Sequence, residues 1–177
     1  MKQFLIAAAA AALISAPAFA ALPVGSKAPE FNADAYQAGQ PLKFSMSEAL
    51  KKGPVVLYFF PAAFTSGCTL EAHAFAEATP EFEKLGATVI GVTAGNVDRI
   101  NEFSVSECRN KFAVAAVDKT IAKSYDASLW FMPSHSNRTS YVIAPDGKII
   151  FAYSALDPDG HVEKSMAAVK AWRDAHP

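Results

Sequence analysis

From residue 55 onward, short continuous apolar runs alternate with stretches in which apolar residues recur every three or four positions. That alternation predicts a layered α/β domain with a partly parallel sheet. Strands buried on both faces read as unbroken apolar runs, whereas crossover helices show a single apolar stripe. VVLYFF, residues 55–60, predicts a central strand. Residues 68–85 follow with Leu70, Ala74, Phe75, Ala78, Phe82 and Leu85 near helical spacing, Pro80 as a bend and Gly86 as the stop. ATVIGVT, residues 87–93, predicts a second buried strand, and Asn96 or Asp98 a cap for a helix running to about Arg109. Residues 112–117 predict a third strand and residues 120–125 a short helix. TSYVIAPDGKIIFAYS, residues 139–154, predicts a hairpin turning at Pro145, Asp146 and Gly147. A last amphipathic helix covers residues 161–172. Upstream, the Gly- and Pro-punctuated residues 24–44 predict an N-terminal hairpin, and residues 45–50 a brief helix.

The first twenty residues, MKQFLIAAAAAALISAPAFA, fall outside this pattern. One lysine, a short apolar run and small residues at Ala18 and Ala20 read as a secretory signal peptide cut after Ala20. The expectation is therefore an exported, periplasmic or secreted protein whose residues 21–177 form one domain. Of 16 basic and 17 acidic residues only Lys2 lies in the leader, leaving 15 against 17, a balance that supplies no footprint for nucleic acid or an anionic membrane. A small molecule or a protein is the expected partner.

There are two cysteines, Cys68 and Cys108. In an oxidising compartment the plainest reading is a structural disulfide. The position of Cys68 suggests chemistry instead, because it falls in the first turn of a helix directly after a buried strand. Unpaired amide N–H groups and the positive end of the helix dipole favour thiolate there. Bringing a thiol from about 8.5 to about 6 raises its thiolate fraction at neutral pH from ~3% to ~90% and takes about 3.4 kcal/mol. A helix end supplies at most ~2 kcal/mol, so a fixed cation from another element is required. Ionisation alone is insufficient, since nucleophilicity falls with pKa; donors must also stabilise the departing oxygen. Thr65, on the same turn, is placed to contact the sulfur or a bound oxygen.

PAAFTSGC, residues 61–68, resembles the peroxiredoxin signature of Pro, three residues, Thr, two residues, Cys. VGSKAPEF, LYFFP, EFEKLGATVIGVT and RTSYVIAPDGKII extend the likeness over nearly all of residues 21–177. The chain is similar to AhpC/TSA-type peroxiredoxins of the Q or bacterioferritin-comigratory kind. The resemblance implies a thioredoxin-like fold, a central mixed β-sheet flanked by helices with an N-terminal β-hairpin extension. It implies Cys68 as the peroxidatic cysteine, Thr65 as its hydrogen-bonding partner, Pro61 as a shield of the pocket and Arg138, at the start of RTSYVI, as the cation.

Many Q-type members carry a second cysteine five residues after the first; here that residue is His73. Five helical residues turn about 140°, so His73 is a poor partner for Cys68 and is expected to be a packed or exposed histidine. Cys108 becomes the candidate resolving thiol, the alternative being a free core thiol with an external thiol doing the resolving. Glu71 offers a proton relay or, as the expectation, a solvated carboxylate at a helix start. Phe64, Trp130, Phe131 and Met132 offer a rim for an organic hydroperoxide or an association surface, with core packing the expectation.

The implied activity is reduction of hydrogen peroxide, and of alkyl hydroperoxides, with no metal, haem or flavin cofactor. An external dithiol, a thioredoxin-like protein or a small thiol, would restore the enzyme, a monomer or weak dimer. Two rivals stand beside it. An exported thiol:disulfide oxidoreductase would need C-x-x-C where TSGC stands. A non-enzymatic domain stapled by Cys68 and Cys108 would leave Thr65, Pro61 and Arg138 unexplained.

Overall fold

The computed structural model describes residues 21–95 and 97–177. The leader and the Asn96 cap lie outside the described residues. An antiparallel hairpin, β1 (Asn32–Gln37) and β2 (Gln40–Ser45), comes first, turning through Ala38 and Gly39 at positive φ of 52° and 74°. The turn suits the right-handed twist of its strands. Helix α1 (Met46–Leu50) and strand β3 (Val55–Phe59) follow, then the long helix α2 (Ser66–Lys84), β4 (Thr88–Thr93) and α3 (Ile100–Ser106). Strand β5 (Ala113–Ala116), α4 (Lys119–Ser124), a two-stranded ribbon of β6 (Ser128–Leu129) and β7 (Met132–Ser136), β8 (Thr139–Ile143), β9 (Ile149–Ser154) and α5 (His161–Ala175) complete the chain.

Seven strands form one mixed sheet in the order β2-β1-β5-β4-β3-β8-β9, with β3, β4 and β5 parallel and the remainder antiparallel. Alternation along β3 divides the core. Val55, Leu57 and Phe59 face a layer containing α1 and α4, while Val56, Tyr58 and Phe60 face α2, α3 and α5. This is the thioredoxin-like α/β arrangement with an N-terminal hairpin that the resemblance implied.

Three local expectations need correction. Helix α2 runs through Pro80, and its buried face carries Cys68, Glu71, Ala72, Phe75, Ala76, Thr79 and Phe82, while Leu70 is 61% exposed. The stripe read from Leu70 and Ala74 was rotated, because a charged residue, Glu71, occupies the core face. The helix after β4 ends at Ser106 and has no side-chain cap, and Asp98 sits in a 3₁₀ turn before it. The ribbon of β6 and β7 was not foreseen; its tip holds Trp130, Phe131 and Met132 in solvent, at 80%, 54% and 42% exposure, rather than in the core.

Candidate active site

Strand β3 ends at the sheet's centre, and its continuation is fixed by Phe60 N–H donating to Val92 O at 3.0 Å and by the Thr93 hydroxyl donating to Pro61 O at 3.3 Å. Half-buried Pro61 thus lines the loop that leads into α2. Phe64 adopts φ 65°, a left-handed conformation unusual for a bulky residue. Its ring packs edge-on against Phe103 at 5.3 Å, and the Arg99 guanidinium lies 4.2 Å from its centre. These contacts hold the sharp reversal that turns the chain into the helix. Thr65 is the N-cap residue, yet its hydroxyl donates to Ala62 O at 3.1 Å, so the expected bond to Cys68 is not made.

Cys68 occupies the first turn of α2 and is 1% exposed. Antiparallel pairing aligns Phe59 with Thr139, which brings Arg138, the residue before β8, to the end of β3 where α2 begins. Arg138 is itself buried and uses three separate donors. Its Nη2 lies 3.6 Å from Cys68 Sγ, its Nη1 donates to Glu71 Oε2, and its Nε donates to Leu156 O at 2.8 Å. Burial works against the guanidinium charge, but the neighbouring Glu71 and Cys68 outweigh it and hold the group above the ordinary arginine range. Gly67 admits this approach, since a Cβ there would stand 3.1 Å from Nη2. The energetic demand for a cation from another element is met by Arg138.

Glu71 is 1% exposed rather than a solvated helix-start carboxylate. Burial pushes its carboxyl up to about 8, although Arg138 pulls the other way. Its Oε1 has no hydrogen-bond partner, and the nearest titratable atom is His161 Nδ1 at 3.7 Å. Tyr58, beneath the site, stacks on Phe75 at 4.2 Å with its hydroxyl unpartnered, and burial raises its phenol well above the usual range. Sequence reasoning missed Gly67 and His161 and misread Glu71. The clue to Glu71 was its spacing: three residues after Cys68 it shares that residue's helix face.

Cys108 is free, as is Cys68, so the structure contains no staple between them. It lies just beyond α3, is 0% exposed, and packs in the same apolar cluster as Cys68. Burial pushes its thiol up, and the charge of Glu107 adds to this. Two polar contacts fasten its neighbours to α2: His73 Nε2 to Glu107 Oε2 at 2.9 Å, and the ion pair of Arg109 Nη1 with Glu77 Oε1 at 2.8 Å. His73 is thus a half-buried surface latch directed away from Cys68's sulfur chemistry.

A family model described as the AhpC/TSA family matches residues 24–152. The bcp protein of Helicobacter pylori is 32% identical over 157 residues, 84% of this chain and 98% of that protein. The chloroplastic peroxiredoxin Q of Sedum lineare is 26% identical over 156 residues, 88% of this chain and 82% of its own length. The crystal structure of peroxidoxin BcpB from Mycobacterium tuberculosis matches with a TM-score of 0.74 at 27% identity, over 84% of this chain and 96% of that one.

Proposed function

The chain belongs to the AhpC/TSA family and is an oxidoreductase of the peroxiredoxin type; from that premise we propose that it reduces hydrogen peroxide and alkyl hydroperoxides through Cys68, with Cys108 resolving. The observation that carries this reading is the Arg138 Nη2 held 3.6 Å from a buried Cys68 Sγ at the first turn of α2. The Cys68 thiolate attacks the terminal oxygen of ROOH, the O–O bond breaks, and the sulfur is oxidised to sulfenic acid while RO⁻ departs. Arg138 and the first-turn amides face the charge that grows on the leaving oxygen. RO⁻ takes a proton from solvent and leaves as alcohol, or as water when R is hydrogen.

Cys108 then condenses with the sulfenic acid, forming the intramolecular disulfide and releasing water. An external dithiol reduces that disulfide and is itself oxidised. Disulfide formation requires the two Cα atoms within about 7 Å, and both thiols are buried in one apolar cluster. The sequence of residues 1–20 supports export, which N-terminal sequencing of the protein recovered from cell fractions tests.

The deciding experiment is peroxide consumption with dithiothreitol by the wild type, Cys68→Ser and Cys108→Ser, with peptide mass spectrometry after peroxide treatment. Loss of turnover in Cys68→Ser and a Cys68 to Cys108 bridge within one chain are expected. A persistent sulfenic acid in the wild type would transfer the resolving role to an external thiol.

A further inference from the structure

One guanidinium, Arg138, lies between two buried acids. Its Nη2 faces Cys68 Sγ at 3.6 Å and its Nη1 meets Glu71 Oε2. The three residues are 4%, 1% and 1% exposed. Two anions against one cation would leave an uncompensated buried charge, so one acid keeps its proton. In water the carboxyl would ionise first; burial works against that here.

Glu71 Oε1 is a buried oxygen without a donor. His161 Nε2 lies 3.0 Å from Ala155 O, which accepts and therefore fixes the proton on Nε2. Nδ1 of the neutral ring then presents a lone pair, to which the Ser140 hydroxyl donates at 2.8 Å. Nδ1 also lies 3.7 Å from Oε1, beyond hydrogen-bond reach, so the neutral ring offers a carboxylate there neither a donor nor a compensating charge. Other elements supply no second cation to Oε1 among the described residues. Tyr58 on β3 contributes a neutral phenol, and Lys164 on α5 places its ammonium 3.7 Å over the Tyr153 ring, toward the far side of His161.

We propose that His161 and Ser140 are positioning residues that keep Glu71 a neutral carboxylic acid in the resting enzyme, leaving the charge of Arg138 to the Cys68 thiolate, and that alkaline ionisation of Glu71 withdraws it. The electrostatics agree: burial pushes Glu71 up to about 8 and, against the Ala155 carbonyl, His161 down to about 4, so the ring brings no charge of its own. This deepens the peroxidase reading and rests on it.

The test follows single-turnover peroxide oxidation of the reduced enzyme from about pH 6 to about pH 10, alongside infrared difference spectra over the same range. The wild-type rate falls by about tenfold as Glu71 ionises, and a protonated-carboxyl band disappears in step. Glu71→Gln mimics the neutral acid, accepting from Arg138, so its alkaline decline and its carboxyl band are both absent. His161→Gln can donate to Oε1, favours the carboxylate, and moves the decline toward neutrality. The proposal is overturned if no carboxyl band titrates in the alkaline range, if Glu71→Gln declines as the wild type does, or if Glu71→Gln is inactive at every pH. Absence of peroxide turnover in the wild type would defeat the peroxidase reading instead, and the infrared titration would still decide the state of Glu71.

Discussion

Replacing Arg138 with methionine removes the charge while keeping an unbranched apolar stem in the same buried place. A unit charge 3.6 Å from the sulfur is worth roughly 4 to 5 kcal/mol at an effective dielectric constant of about 20, a ceiling of roughly three decades in rate. Glu71 Oε2 takes another of the guanidinium's donors, so the realised effect is smaller. Loss of a preorganised donor at a site of developing charge lowers rates by about 10²- to 10³-fold, and Arg138→Met is expected to fall in that interval. The methionine variant should still fold, because Glu71 can remain protonated and bury no bare charge; the lost bond from Nε to Leu156 O affects only the strand's flank. Rapid mixing with hydrogen peroxide, acid quench and mass-spectrometric counting of oxidised Cys68 measures the step itself, free of resolution and recycling. Arg138→Lys, a point charge without the fork, should lie between the two. A folded Arg138→Met protein oxidised within about threefold of the wild-type rate would refute the electrostatic account.

Gly67→Ala should push Arg138 Nη2 away by a few tenths of an ångström and slow Cys68 oxidation about two- to fivefold, while helix propensity stabilises the protein by up to about 1 kcal/mol. Stopped-flow oxidation and urea unfolding read the opposed signs; an unchanged rate would show that the guanidinium relaxes freely. Stability should also depend on pH through Glu71. Unfolded, the group loses its proton near 4.5; folded, it keeps it to about 8, so the native state binds more protons between these values and stability falls as pH rises. His161, at about 4 folded against 6.5 unfolded, has the opposite slope below 6.5 and offsets Glu71 there. A net loss of about 1 kcal/mol is therefore expected from about pH 6.5 to 8 in denaturant titrations, and a flat profile would sink it. Glu107→Gln, which weakens the pair with His73 and removes a charge beside Cys108, should speed disulfide formation by about two- to fivefold, read as the sulfenic acid to disulfide conversion after quench. A slower conversion would mean that the pair guides Cys108 instead of restraining it.

The strands and helices were legible in the sequence because their apolar runs are long and their stops are chemically explicit. Gly86, at φ 74°, ends α2, and Asp118 caps α4 by accepting from Thr120 N–H at 2.8 Å. Cys68, Pro61 and Arg138 were legible through motif spacing, and pairing of β3 with β8 explains why residues so distant in sequence converge. What hid were the buried polar residues. Glu71 and His161 look like surface residues of amphipathic helices because periodicity assumes charge faces water, whereas here a carboxyl beside Arg138 and a neutral imidazole are both buried. The exposed Trp130–Phe131 tip was misassigned for the converse reason, apolar composition being no guarantee of burial.

The two halves of the proposed cycle sit in regions of contrasting rigidity. Cys68 and Arg138 rest on the junction of β3, α2 and β8, central elements joined by five register pairs between β3 and β8 and five between β3 and β4. A charge held 3.6 Å from a sulfur needs such a frame, since small displacements change the Coulomb energy directly. Cys108 lies instead in a turn where Arg109 and Asn110 both adopt left-handed φ values, 48° and 62°, which cost conformational energy for residues other than glycine. The polar contacts of Glu107 with His73 and of Arg109 with Glu77 are partly exposed and contribute little each, so packing of the thiol itself is the main restraint. Strain stored beside a thin restraint lowers the free energy needed to open that turn without loosening the sheet. On the proposed mechanism, peroxide attack would proceed in the fixed site, and resolution by Cys108 would draw on the weaker restraint of its turn.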